Sequence, residues 1–267
     1  MKCLLVITGE SFRYGPQGSR ARSTCKASTS RQKLASYSHI RLINYMKKQF
    51  NYDTDILIDS YELNNEYDTM ILNWYAPYVI KARFNKIIFP NEMAFVESTN
   101  NNLASEDLSE YDYIVFIRID FYIKKYFLNR FNTIDNSIRY AHMDYNGGGN
   151  CHNIIYLPKC YFHLINAPLS ENFRTPHYGM HNVKTNLKTS LFINSYHSLS
   201  TDLNWNPLYS QVGRNESFIR ENKGERYINN ECVKGINDNE YNHLEKTDTI
   251  EENVNLIDAD NFDVFMF

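Results

Sequence analysis

Several common functions are excluded by what the chain does not contain. None of its 267 residues fall in a stretch near the roughly 20 consecutive apolar residues of a spanning helix, so no membrane span is expected. The opening Met-Lys-Cys-Leu-Leu-Val-Ile-Thr is too short an apolar run for a signal peptide and carries no cleavage site. Positive charge is not in excess: 28 Lys and Arg against 31 Asp and Glu leave a formal charge of −3, which removes the global electrostatic case for nucleic acid. Cysteines are few and odd in number (Cys3, Cys25, Cys151, Cys160, Cys232), with no CxxC pair and no metal-finger spacing. That pattern argues for free thiols in a reducing compartment. A soluble, cytoplasmic protein is therefore expected, with the sequon at Asn215 and Ser217 left unglycosylated. Gly and Pro are modest at 10 and 7, and there is no Walker A or GxGxxG motif, no internal repeat and no sharp linker. One domain is expected over residues 1–221. A polar, acidic extension over 222–267 would dock by its apolar end, Val264 to Phe267.

Tyr and Phe are abundant instead, at 21 and 16, and Asn is heavily used. Tyr and Asn pair apolar faces with polar tips and suit sugars; an AT-rich genome produces the same composition.

The chain is organised around Tyr111 to Asp120, where seven of ten residues are β-branched or aromatic. Such a run is the mark of a strand buried on both faces of a parallel or mixed sheet. It ends in Arg118-Ile-Asp120. Ligands of open α/β sheets sit beyond the carboxyl ends of the strands, so Asp120 is either a site carboxylate or the cap of a helix expected over Phe121 to Phe131. Upstream, Lys2 to Thr8 is a buried strand, Ser30 to Phe50 a helix with apolar residues at helical spacing, and Thr54 to Asp59 a second strand. This βαβ start implies parallel pairing and a right-handed crossover. A helix over Glu66 to Trp74, a short strand over Lys86 to Phe89 and a helix over Asn91 to Asp107 precede the central strand. Ser137 to His142 and Asn153 to Leu157 read as strands, Pro158 opens a helix through Ile165, and Ser190 to His197 reads as strand or helix. The fold class expected is α/β: a mixed, mostly parallel sheet flanked by helices.

Between Ser11 and Lys33 the chain carries Arg13, Arg20, Arg22, Lys26, Arg31 and Lys33 without an acidic residue, along with Gly15, Gly18 and many hydroxyls. Backbone N–H groups, hydroxyls and guanidinium forks suit phosphate oxygens, so this loop either binds a phosphate or is merely solvated. Together with Asp120 it suggests a nucleotide diphosphate held with Mg²⁺ or Mn²⁺, ions that take one or two carboxylates plus phosphate oxygens. His177 and His181 are either further ligands or plain surface histidines. Trp74, Tyr75, Trp205 and Tyr209 are either sugar-stacking rings or core.

The opening Ile7-Thr-Gly-Glu-Ser-Phe-Arg13, the Arg20 loop and Val115-Phe-Ile-Arg-Ile-Asp120 resemble the nucleotide-sugar glycosyltransferases of large algal DNA viruses, over roughly the first two-thirds of the chain. The resemblance implies a GT-A-like fold and a UDP-sugar donor held by Thr8, Gly9, Glu10, Ser11, Arg13, Arg20, Arg118 and Asp120. It further implies Mn²⁺ or Mg²⁺ on Asp120, and transfer to a glycan acceptor of a viral capsid glycoprotein in the infected host's cytoplasm. Xylose to fucose is the transfer it favours, with inversion. The DxD motif of that family has Arg118 at its first position here. The inverting base, which takes the acceptor hydroxyl proton, is matched to Asn73. An amide cannot act as a base, so either Asn73 replaces a carboxylate and still binds the acceptor, or the base is Asp68 or Asp202, or Asn73 is an ordinary helix residue. A nucleotidyltransferase and a non-catalytic glycan-binding or assembly protein are the alternatives.

Overall fold

The computed structural model describes residues 1–12, 29–86, 92–131, 136–141, 143–144, 154–167, 189–192, 196–197 and 209–211. The proposed extension, 222–267, lies outside them.

Strand β1 (Lys2–Gly9) is buried along Cys3 to Thr8, as its apolar block requires. Helix α1 (Thr29–Phe50) ends in Lys47 and Lys48, which oppose the negative end of its dipole. Strand β2 (Asp53–Tyr61) completes a parallel βαβ unit with β1. Helix α2 (Asn65–Tyr75) starts where Asn64 accepts the Tyr67 N–H at 2.9 Å. Strand β3 (Val79–Asn85) and helix α3 (Glu92–Ala104) lead to β4 (Tyr113–Arg118), which pairs in parallel with β1.

Two expectations are corrected here. The third strand is Val79–Asn85, not Lys86 to Phe89; residues 87–89 lie outside the described residues. Among the described residues it is the edge strand, pairs with β2 alone and is nowhere fully buried, so it lacks the unbroken apolar run of an inner strand. Phe121 does not open a helix either. Phe121–Ile123 forms a buried strand, β5, and only Lys125–Arg130 is helical (α4). Three consecutive large apolar residues, all buried, fit an extended segment enclosed on both sides.

The rest comprises β6 (Ile138–Tyr140), β7 (Met143–Asp144), β8 (Ile154–Pro158), a 3-10 helix (Lys159–Asn166), β9 (Thr189–Leu191), β10 (Tyr196–His197) and β11 (Tyr209–Gln211). Among the described residues the main sheet has seven strands in the order β3-β2-β1-β4-β8-β6-β9. Only β8 runs against the others, since it is antiparallel to both β4 and β6 while the remaining pairings are parallel. The α/β class expected from the sequence, a mixed and mostly parallel sheet flanked by helices, is the one observed.

Alternation along the strands divides the core in two. Cys3, Leu5, Ile7, Ile56, Ile58, Val115 and Ile117 pack with α1 and α2. Leu4, Val6, Leu57, Ile114 and Phe116 pack with Leu103 of α3 and with Leu164 and Ile165 of the 3-10 helix. No helix among the described residues is long and apolar enough to cross a membrane.

Candidate functional site

From β1 the chain passes to β2 and β3 on one side and then returns to β4 on the other. The carboxyl ends of β1 and β4 therefore flank the topological switch point, where ligands of open α/β sheets bind. Gly9 turns the chain out of β1 with φ of +100°, a conformation open to glycine at little cost. Phe12 adopts φ of +53° and is held there by the rest of the molecule. Its N–H donates to Gln32 Oε1 at 2.7 Å, while Gln32 Nε2 donates to the Ile119 carbonyl at 2.8 Å. One fully buried amide thus ties the turn after β1 to the turn after β4.

Helix α1 extends this clamp. Ser38 Oγ accepts the Ile123 N–H at 2.8 Å, and Arg41 donates to the Ile123 carbonyl at 2.5 Å. His39 Nε2 lies 2.7 Å from the Phe121 carbonyl, which can only accept, so Nε2 carries the proton and Nδ1 accepts the Tyr75 hydroxyl at 2.7 Å. Burial lowers the His39 pKa to about 4, so the ring is neutral at neutral pH. On the side of residues 119–123 that faces α1, the Ile119, Phe121 and Ile123 carbonyls and the Ile123 N–H are thus satisfied by side chains in place of a neighbouring strand.

Asp120 sits inside this clamp. Both its oxygens accept from the guanidinium of Arg118, Oδ1 from Nε and Oδ2 from Nη2, each at 2.9 Å. The Asp120 side chain is 0% exposed and that of Arg118 is 17% exposed, so the outward member of the pair is the cation. The guanidinium also lies 4.8 Å from the centre of the Phe121 ring. The alternative reading of Asp120 as a helix cap does not hold, because the next helix begins five residues on, at Lys125. As a resting place for Mg²⁺ or Mn²⁺ the described residues fit poorly. The expected carboxylate is already neutralised, and among the described residues no three His, Cys, Asp or Glu side chains come together.

In register with Thr8 lie Asp59 on β2 and Arg118 on β4, and all three continue the α3 side of the sheet just beyond its apolar block. Asp59 is fully buried. Its Oδ1 accepts from Asn85 at 2.8 Å and Asn102 at 3.1 Å, while Oδ2 has no partner among the described residues. Ser11, also fully buried, has a hydroxyl without a partner among the described residues. Thr8 and Glu10 are buried too. The structure thus brings Thr8, Gly9, Glu10 and Ser11 to the same carboxyl end of the sheet as Arg118 and Asp120. Arg13, Arg20, His177, His181, Asp202 and Trp205 lie outside the described residues.

On α2, Asn73 is exposed and Asp68 is buried. Five residues apart, they point about 140° away from each other around the helix. Asp68 receives the Leu63 N–H at 3.4 Å, and burial raises its carboxyl above the usual range. Trp74 and Tyr67 pack around Phe12, at 5.9 and 4.5 Å between ring centres. Tyr75 is wholly buried against His39 and is core, not a sugar platform.

Gln32, His39 and Asp59 escaped the reading of the sequence. For the first two a signal existed: Gln32, Ser36 and His39 recur at i, i+4 and i+7 on the same helix as the apolar stripe. Polar residues at buried helical positions must find polar partners inside.

No family model matches the chain, and no curated protein matches it. Among solved structures, similarity is found to a nucleotide-diphospho-sugar transferase from Desulfovibrio desulfuricans G20 (12% identity, 76% of this chain and 84% of that one, TM-score 0.38). It is found also to a glycosyltransferase involved in glycosylation of the major capsid of PBCV-1 (10% identity, 82% and 98%, TM-score 0.37). A third such structure is HddC from Yersinia pseudotuberculosis (10% identity, 82% and 96%, TM-score 0.42).

Proposed function

We propose that the chain is a GT-A-like glycosyltransferase that takes a sugar from a UDP-sugar and places it on a glycan acceptor. The observation that carries the reading is the polar frame at the switch point: the Thr8–Phe12 turn, the buried Asp59 and the Arg118–Asp120 pair; in sequence the basic stretch with Arg13 and Arg20 comes next. A diphosphate suits the cations, and the Oδ2 of Asp59, without a partner among the described residues, suits an N–H or O–H of the nucleoside. UDP-xylose as donor, fucose of a viral capsid glycan as acceptor, and inversion are the finer choices. They rest on the resemblance of Ile7 to Arg13 and Val115 to Asp120 to the algal-virus transferases.

In an inverting transfer the acceptor hydroxyl attacks the anomeric carbon, the bond to the UDP oxygen breaks and a base takes the hydroxyl proton. Asn73 binds the acceptor by hydrogen bonds without accepting that proton. Asp68, with its raised pKa, is more basic than an ordinary carboxylate, but its bond to Leu63 ties it to the start of α2; Asp202 is the remaining carboxylate. Calorimetric titration with a panel of UDP-sugars, followed by turnover of the bound donor with wild type and Asn73→Asp, tests the assignment. One UDP-sugar should bind, and turnover should rise at least tenfold in the variant. Binding of free glycan with no nucleotide sugar bound would replace the transferase by the glycan-binding reading, which the amide at Asn73 also suits.

A further inference from the structure

From the Arg118–Asp120 geometry we infer that Arg118 stands where a divalent cation would, so that the donor diphosphate is held by a guanidinium and without a resident metal. The inference rests on the nucleotide-sugar reading and goes beyond it. The carboxylate at the turn after β4, Asp120, is bound through both oxygens by two hydrogen bonds of 2.9 Å. Its side chain is inaccessible, and the residues on either side, Ile119 and Phe121, are held by Gln32 and His39. A cation seeking Asp120 would have to displace a like-charged group from a bidentate pair inside a clamped turn. The pair as a whole is neutral, so it offers a divalent ion little electrostatic attraction. Arg118 is the more exposed member and projects from the end of β4, on the side of the sheet that also carries Thr8 and Asp59. A rigid, permanently charged fork suits phosphate oxygens. With Asp120 fixing its plane, the guanidinium meets the diphosphate and the charge that develops on the leaving UDP.

The test is titration of the full chain with UDP, in excess EDTA and again in millimolar Mn²⁺. The inference expects affinities within threefold of each other. Removing Arg118 alone would leave Asp120 buried and unpaired, so Arg118→Ala is made in an Asp120→Asn background and compared with Asp120→Asn alone, folding being checked by circular dichroism. UDP affinity should fall at least tenfold on loss of Arg118. Binding that requires Mn²⁺ overturns the inference and leaves the nucleotide-sugar reading standing. Unchanged affinity in the double variant removes Arg118 from the diphosphate site. If UDP and UDP-sugars bind under neither condition, the reading itself fails, and the inference with it.

Discussion

Replacing Gln32 by leucine removes a side chain that joins the two turns at the switch point. The native amide donates to the Ile119 carbonyl at 2.8 Å and accepts the Phe12 N–H at 2.7 Å, in a position with no solvent exposure. Leucine fills much the same volume but leaves a buried N–H and a buried C=O without these partners. Each orphaned group costs about 1–3 kcal/mol, so Gln32→Leu should lose about 2–6 kcal/mol of stability. Phe12 adds to the effect, because its φ of +53° is uphill for a residue with a Cβ and persists only while its surroundings fix it. Gln32→Glu keeps an acceptor for Phe12 but sets a charged oxygen against the Ile119 carbonyl, and should cost at least as much. Urea unfolding followed by circular dichroism measures both: the midpoint should fall with little change in slope, since the surface exposed on unfolding is nearly unchanged. UDP affinity should fall in parallel, because the two turns would no longer be held in one geometry. A loss below about 1 kcal/mol in Gln32→Leu would refute the claim that this bridge holds the site together.

Acid should destabilise the fold through His39. Its pKa is about 4 folded, against an ordinary 6.5, so the ring contributes no pH dependence above pH 6.5. Between 6.5 and 4 the unfolded chain takes up a proton that the folded chain refuses, and about 3 kcal/mol is lost by pH 4. Unfolding curves at pH 7 and 4.5 should show that part of the slope missing in His39→Gln; an unchanged slope would exclude His39 as its source. Asp59→Leu should cost about 1–3 kcal/mol by orphaning the Asn102 amide, while Asp59→Asn, which retains an acceptor oxygen, should cost clearly less. Equal losses in urea unfolding would mean that the Asn102 contact contributes nothing.

What could be read in the sequence was what repeats along it. The unbroken apolar blocks of β1, β2 and β4 revealed inner strands, and the 3.6-residue spacing of Leu34, Ile40, Ile43 and Met46 revealed α1. Element ends moved by only a residue or two in these cases. Two kinds of segment stayed hidden. Strand β3 is an edge, with Lys81 and Arg83 both paired to Glu106 beside it, and so lacks the apolar run by which an inner strand is recognised. Strand β5 is too short to show a period, and it is defined by partners far away in sequence: α1 on one side and Tyr209–Gln211 on the other. The site was legible to the same degree. Residues at strand ends, Thr8 to Ser11 and Arg118 with Asp120, could be nominated because a strand end is a local feature. The fork between Arg118 and Asp120 could have been suspected, since residues two apart on a strand share a face. The Gln32 bridge could not, because it depends on where a helix lies over a turn 87 residues away.

The same alternation explains why the polar row forms at all. In parallel strands held in register, apolar blocks that end at the same level leave their next residues side by side. Beyond Val6, Leu57 and Phe116 on the α3 side come Thr8, Asp59 and Arg118, and the pairing of β1 with β2 and β4 makes them neighbours. On the other side the corresponding positions are Gly9, Ser60 and Ile119. There the Ser60 hydroxyl donates to the Gly9 carbonyl at 2.7 Å, Ile119 donates its N–H to Thr8, and Gln32 covers the end of the sheet. One side of the sheet edge is thus used to fix the backbone and the other carries the side chains with chemistry. A slip of β4 by one residue against β1 would exchange the two, turning Arg118 toward α1 and burying a cation in the larger core cluster. Such a slip is opposed by every apolar residue of β4 at once, so the orientation of Arg118 is secured by the core, while the Asp120 fork sets only the plane of its guanidinium.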